Sequence, residues 1–202
     1  MLINLLDVDL NFESPNIYER PPEFGENPLE YCAELALLKA REVKKNIDVN
    51  RFVLGADTIV VLDDRIMGKP INAEHAVEML KLLRGGSHSV YTAMALISGI
   101  DCRVVTQVTS TTVWMRNYSD EEIVTYVSTG DRMDKAGAYA IQNSEFSPVY
   151  KIDGCYMSVV GLPICELIKL LNSTGLLGKV GLKIMSEDFD QCTYCPLTES
   201  IC

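Results

Sequence analysis

"SHSVYTAMALISGIDCRVVTQVTSTTVWMR", residues 87–116, decides the fold. Both halves are rich in Val, Thr and Ile, and "SGID" (98–101) stands between them. β-Branched residues favour extended chain, and a short Gly- and Asp-containing break reverses its direction, so the segment predicts a long hairpin. A hairpin pairs its strands antiparallel, which argues against a purely parallel sheet.

Helical patterns flank it. "NPLEYCAELALLKAREVKKN" (27–46) has Asn27 as N-cap, Pro28 at the first helical position and Glu30 at capping-box spacing. In "NAEHAVEMLKLLRGG" (72–86), Ala76, Met79, Leu80 and Leu83 recur at helical spacing, and Gly85 ends the run. "SDEEIVTYVSTG" (119–130) pairs Ser119 with Glu122 and stops at Gly130, and "GLPICELIKLLNSTG" (161–175) predicts a terminal helix. Strands are expected at 51–55, at 59–62, and in "PVYKIDG" (148–154), with a turn at Asp63-Asp64. "DRMDKAGAYAIQ" (131–142) reads as a loop entering a strand, and the Pro-rich stretch 11–27 as a loop. Alternating helices and strands with a long hairpin predict an α/β fold on a mixed, twisted sheet.

The bulk numbers set limits. The chain has 202 residues, 48% of them hydrophobic and 23% charged, which suits one globular domain or two small lobes. A formal net charge of −10 argues against a nucleic-acid binder, which needs a basic face to replace counterions. It leaves room for a small anionic ligand in a locally basic cleft. No run is long and apolar enough to predict a transmembrane helix, and "MLINLLDVDLNFE" lacks the basic start and cleavage site of a signal peptide. Of 7 cysteines, Cys32, Cys102, Cys155 and Cys165 are expected as small buried hydrophobes. Cys192, Cys195 and Cys202 fall in the tail "QCTYCPLTESIC", whose CxxC lacks a matching second half for zinc. This cysteine usage suits a reducing cytoplasm.

Several residues sit oddly for a plain core. Asp57 interrupts the apolar run of "GADTIVVLDDRIMGKP" (55–70), as a turn acid or as a buried charge held for chemistry. Leu29, Cys32, Ala36 and Val43 form an apolar stripe on the first helix, and Lys39 falls on it. A lysine there either snorkels to solvent or meets an anion. Lys69, between Gly68 and Pro70, is an exposed turn lysine or a stiffly aimed ammonium. Asp134 and Lys135 lead into the small residues Ala136, Gly137 and Ala138, where a ligand can approach backbone amides. Gln142 carries the paired donor and acceptor that reading a base edge needs. His75 is expected on a helix surface, and His88 opens a strand. One acid and three candidate cations suit a phosphate ester, where cations neutralise charge and a carboxylate activates water. GxxxxGK[ST], GxGxxG and GxSxG are all absent from the sequence.

"GADTIVVLDDRIMGKP", "AVEMLKLLRGGSHSVYTAMAL", "YVSTGDRMDKAGAYAIQ" and "IDGCYMSVVGLPICELIKLL" resemble, in order, successive blocks of the Maf family of nucleoside triphosphate pyrophosphatases. The likeness runs from about residue 12 to 172, so a Maf-like domain over 1–172 and a tail over 173–202 are expected. The resemblance implies two lobes around a cleft, as in Maf and inosine-triphosphatase-like folds. It implies hydrolysis between the α and β phosphates with a divalent cation, Mg or Mn. It implies a nucleoside triphosphate substrate and a homodimer, while the charge balance and the lack of a long apolar run predict no nucleic-acid or membrane partner. The "ADT" form resembles the branch acting on dTTP and UTP. By position, Asp57 matches the general base, and Thr58 and Gln142 match positions tied to base choice. Lys39, Lys69 and Lys135 match cleft lysines, and Glu19 matches an acidic position of the first loop. The metal ligands are not assigned by this likeness. The family's opening strand and "SxSPRR" block have no counterpart here, so an N-terminally truncated domain is expected. The alternative is a catalytically impaired nucleotide-binding protein that regulates septum formation and cell division.

Overall fold

The computed structural model describes residues 10–99, 101–130 and 135–174. The expectations placed on residues 1–9, on Asp134 and on the tail cysteines Cys192, Cys195 and Cys202 lie outside them.

Helix α1 (Pro28–Lys44) starts where the Asn27 side chain accepts from the Leu29 N–H, with Pro28 in the first turn. Strand β1 (Val53–Leu62) turns through Asp63 and Asp64 into β2 (Arg65–Met67). Both aspartates have positive φ, 47° and 61°, the backbone a two-residue hairpin turn requires. Helix α2 (Ala73–Leu83) is capped by Asn72. Strands β3 (Ser87–Ile97) and β4 (Val104–Met115) form the expected hairpin, paired from Ser87–Trp114 to Ile97–Val104. Helix α3 (Asp120–Ser128) carries a full capping box between Ser119 and Glu122. Then come β5 (Val149–Asp153), the short α4 (Tyr156–Val160) and α5 (Ile164–Ser173).

The strand order is β2-β1-β3-β4-β5, and every pairing among the described residues is antiparallel. β2 and β3 run parallel to each other with β1 between them. Helix α2 carries the chain past β1, so its crossover creates no parallel neighbours. Helices flank both faces, which gives the α/β character that the sequence predicts.

One face of the sheet meets α1. Tyr31, Cys32, Leu35, Ala36 and Ala40 pack against Val53, Ile59, Val61, Ala93 and Ala95. Contact is close because Gly55 has no side chain. A Cβ there would lie 2.3 Å from the Ala36 carbonyl oxygen and 2.9 Å from the Ala40 Cβ. The other face carries two cores. One joins α2, α3 and Val60, Val90 and Met115; the other joins α4, α5, Met94 and Leu96. The seam between them runs past Thr58 and Thr92. No helix among the described residues is long and apolar enough to cross a membrane.

Several expectations change. The segments 51–55 and 59–62 are one strand, and Asp57 pairs with Ala93 inside it, so Asp57 is no turn residue. Residues 135–142 do not enter a strand. Gly137 and Ala138 both adopt positive φ, 71° and 61°, which breaks extension and leaves a short 3₁₀ turn at Ala136–Ala138. Leu29 is exposed, because the buried face of α1 is centred on Cys32, Ala36 and Ala40. Cys102 is exposed in the β3–β4 turn at φ 56°, while Cys32 and Cys165 are buried and Cys155 is partly buried.

Candidate active site

β2 pairs only with Val60–Leu62 of β1. Before that point, among the described residues, β1 is an open sheet edge. Successive side chains of a strand point to opposite faces. Asp57 therefore leans toward α1 and Thr58 toward the seam between the two cores, yet both reach the same edge. A cavity of about 360 Å³ lies there. Lys39, Asp57, Thr58, Lys69, Lys135 and Gln142 all line it.

Lys39 projects from α1 onto Asp57. The two form an ion pair whose side chains are 20% and 9% exposed. This decides between the two readings of Lys39: it meets an anion. The Gly55–Ala36–Ala40 contact sets α1 close enough for this reach. Burial pushes the Asp57 carboxyl above its ordinary value, and the Lys39 ammonium only partly reverses that. Burial alone would lower Lys39, but the hydrogen bond to Asp57 and the Glu19 carboxylate hold it raised. The result is a proton-hungry carboxylate beneath a charged lysine.

Glu19 does not line the cavity wall but bridges its cations. One oxygen sits 2.9 Å from Lys39 Nζ, the other 3.2 Å from Lys69 Nζ. Burial raises its pKa, and the two lysines more than offset this, so it stays below the usual carboxylate range. Its loop is fastened to α1 by the next residue. Arg20 pairs with Glu26 and with Glu34, its guanidinium lies over the Tyr31 ring, and Tyr31 Oη donates to the Arg20 carbonyl at 2.7 Å.

The segment carrying Lys135 and Gln142 is tied to the Lys69 loop, since the Gly137 N–H donates to the Gly68 carbonyl. Gly137 packs on Val60, where a Cβ would come within 3.0 Å of a valine methyl. Gln142 stands exposed at the rim. Thr58 shares a 2.9 Å hydrogen bond with Thr92. Tyr139, Val160 and Gly161 also line the wall and were not singled out by sequence. Tyr139 follows the small-residue stretch and reads there as ordinary core. His88 lines no part of the cavity; it is buried behind Tyr139, 2.7 Å from its hydroxyl. Burial lowers its pKa to about 4. His75 sits part-exposed in the first turn of α2 and accepts from the Ile71 N–H.

Among the described residues no group of three or more His, Cys, Asp or Glu could hold a metal by itself. Two carboxylates share Lys39: Asp57, which lines the cavity, and Glu19, which stands outside its lining. That donor set fits a hard cation arriving with a polyphosphate, which takes one or two carboxylates plus phosphate oxygens.

Fold and site together define an α/β protein whose sheet edge holds a lysine-rich, carboxylate-floored pocket suited to a phosphorylated ligand. The family model described as Maf-like protein matches residues 1–174, and the chain belongs to that family. It is 41% identical over 170 residues to a dTTP/UTP pyrophosphatase of Thermoanaerobacter sp. (strain X514), covering 84% of this chain and 88% of that one. It is 40% identical over 174 residues to a dTTP/UTP pyrophosphatase of Dictyoglomus thermophilum, covering 86% and 90%. A protein of the same name from Geobacter sp. (strain M21) is 46% identical over 154 residues, covering 76% and 79%.

Proposed function

We propose that this chain is a nucleoside triphosphate pyrophosphatase that hydrolyses dTTP and UTP to the monophosphate and pyrophosphate. The observation that carries the reading is the Lys39–Asp57 pair at the floor of a cavity that Lys69 and Lys135 also line. The family membership and the names of the relatives support the substrate class. The cavity volume falls within the range of small-ligand sites.

The chemistry follows from the residues. Asp57 takes a proton from water as its oxygen attacks the α phosphorus. The bond from that phosphorus to the bridging oxygen breaks, and pyrophosphate leaves with the electron pair. Positioned general bases contribute roughly 10²–10⁴-fold in rate. The lysines oppose charge on the transferring and leaving oxygens in a site partly closed to water, where fixed charges act most strongly. Glu19 holds Lys39 and Lys69 in place, and a triphosphate would compete with it for both. Glu19 and Asp57 would hold the divalent cation, Mg or Mn, which neutralises phosphate charge when bound. Thr58 and Gln142 face the base.

The same reading assigns the pyrophosphatase unit to 1–172 and places the protein in the cytoplasm as a homodimer that binds neither nucleic acid nor membrane. The net charge of −10 supports the exclusion of nucleic acid. The test is pyrophosphate release from dTTP and UTP with magnesium, by wild type and Asp57→Asn. Turnover lost in the variant supports the reading. Equal nucleotide binding with no turnover by either protein would favour a non-catalytic, division-regulating nucleotide binder.

A further inference from the structure

Thr58 reaches the cavity from β1, and its hydroxyl is not free to choose its role. Thr92 lies directly opposite in the β1–β3 register. The Thr92 hydroxyl donates to the Ser158 carbonyl at 2.6 Å. A carbonyl oxygen has no hydrogen, so the single Thr92 proton is committed there. In the 2.9 Å contact between the two threonines, Thr92 can then only accept. Thr58 must donate its own single proton to Thr92. What remains on the Thr58 oxygen toward the cavity is lone pairs.

The lock is sealed from water. Thr92 and Ser158 are each 0% exposed, and Thr111, which shares a 2.8 Å hydrogen bond with the Ser158 hydroxyl, is 1% exposed. Thr111 also accepts from the Cys155 N–H at 3.0 Å, so the N-cap and the middle of α4 are both tied to the sheet. This hydroxyl belt lies between the two apolar cores, where a reversed proton would take from the Ser158 carbonyl one of its two donors, the other being the Gly161 N–H at 3.0 Å.

We propose that Thr92 is a specificity-determining positioning residue: it fixes Thr58 as a hydrogen-bond acceptor, so the cavity selects a base that presents a ring N–H. Uracil and thymine present such an N–H at N3, between two carbonyls. Cytosine presents a lone pair at N3, which faces the Thr58 lone pairs and is repelled. This inference rests on the pyrophosphatase reading and explains its choice between pyrimidines through a residue that touches no substrate. Sites built around a buried hydrogen bond discriminate strongly against ligands that leave it unpaired.

The experiment compares kcat/KM for UTP and CTP with magnesium in wild type, Thr92→Val and Thr92→Ser, with thermal unfolding of each. Thr92→Val removes the acceptor, frees the Thr58 proton and lowers the UTP-to-CTP ratio about tenfold or more. Thr92→Ser restores the ratio. A wild-type preference for UTP that persists unchanged in folded Thr92→Val overturns the inference and leaves the pyrophosphatase reading intact. Should Thr92→Val not fold, wild type is assayed on 3-methyluridine triphosphate, whose N3 has no hydrogen. Hydrolysis as fast as that of UTP overturns the inference, and rejection supports it. A wild type that neither binds nor hydrolyses UTP overturns the pyrophosphatase reading and this inference with it.

Discussion

Lys39 of α1 and Asp57 of β1, 18 residues apart in sequence, meet as a largely buried ion pair at the floor of a cavity that Lys69 and Lys135 also line. Removing one partner strands the other. Lys39→Met should destabilise the fold by roughly 2–4 kcal/mol in urea unfolding, because an unpaired buried charge remains. It should also move the acid limb of the activity–pH profile upward, since burial then acts on Asp57 without the ammonium that opposes it. An unchanged acid limb would mean that the Asp57 ionisation does not govern turnover.

The reach of Lys39 depends on Gly55. A Cβ at this position meets backbone of α1 at 2.3 Å and 2.8 Å, so Gly55→Ala must push the helix outward. Overpacking of this kind costs about 1–3 kcal/mol, read from the urea midpoint. Turnover should fall together with stability, because the helix carries Lys39 away from Asp57. Full activity in a destabilised Gly55→Ala protein would separate helix docking from catalysis.

His88 makes stability depend on pH. Its folded pKa is near 4, below the unfolded value of 6.5, so the unfolded chain binds more protons between these values. Stability from this group is complete above the unfolded value and is lost as pH falls through it toward 4. The loss between pH 7 and pH 5 should be about 2 kcal/mol. Urea unfolding at the two pH values measures it, and His88→Gln should flatten the difference. An equal slope in the variant would assign the effect to other groups.

Much of this was legible in the sequence, and the reasons differ by element. The β3–β4 hairpin and the caps at Asn27 and Ser119 are local chemistry, and local chemistry is written in the chain. Lys39 was visible as a charge on an apolar stripe, although the stripe itself is centred on Ala36 rather than Leu29. Its meeting with Asp57 needs the packing of α1 on β1, which no single segment specifies. Residues 135–142 misled because their apolar alternation imitates a strand, while Gly137 and Ala138 take left-handed backbone. Thr92 was hidden in "VYTAMAL", where any threonine suits a strand; only its register against Thr58 and its bond to Ser158 give it a role. Arg20 was likewise unreadable, since its partners Glu26, Tyr31 and Glu34 come together only when the loop folds back on α1.

The central claim is that Asp57 activates water for cleavage of a pyrimidine nucleoside triphosphate. Pyrophosphate released from dTTP and UTP with magnesium, by wild type and by Asp57→Asn at matched nucleotide occupancy, tests it most directly. The expected result is turnover by wild type, with kcat about 10²–10⁴-fold lower in the variant and nucleotide affinity retained. Equal turnover by the two proteins would contradict it.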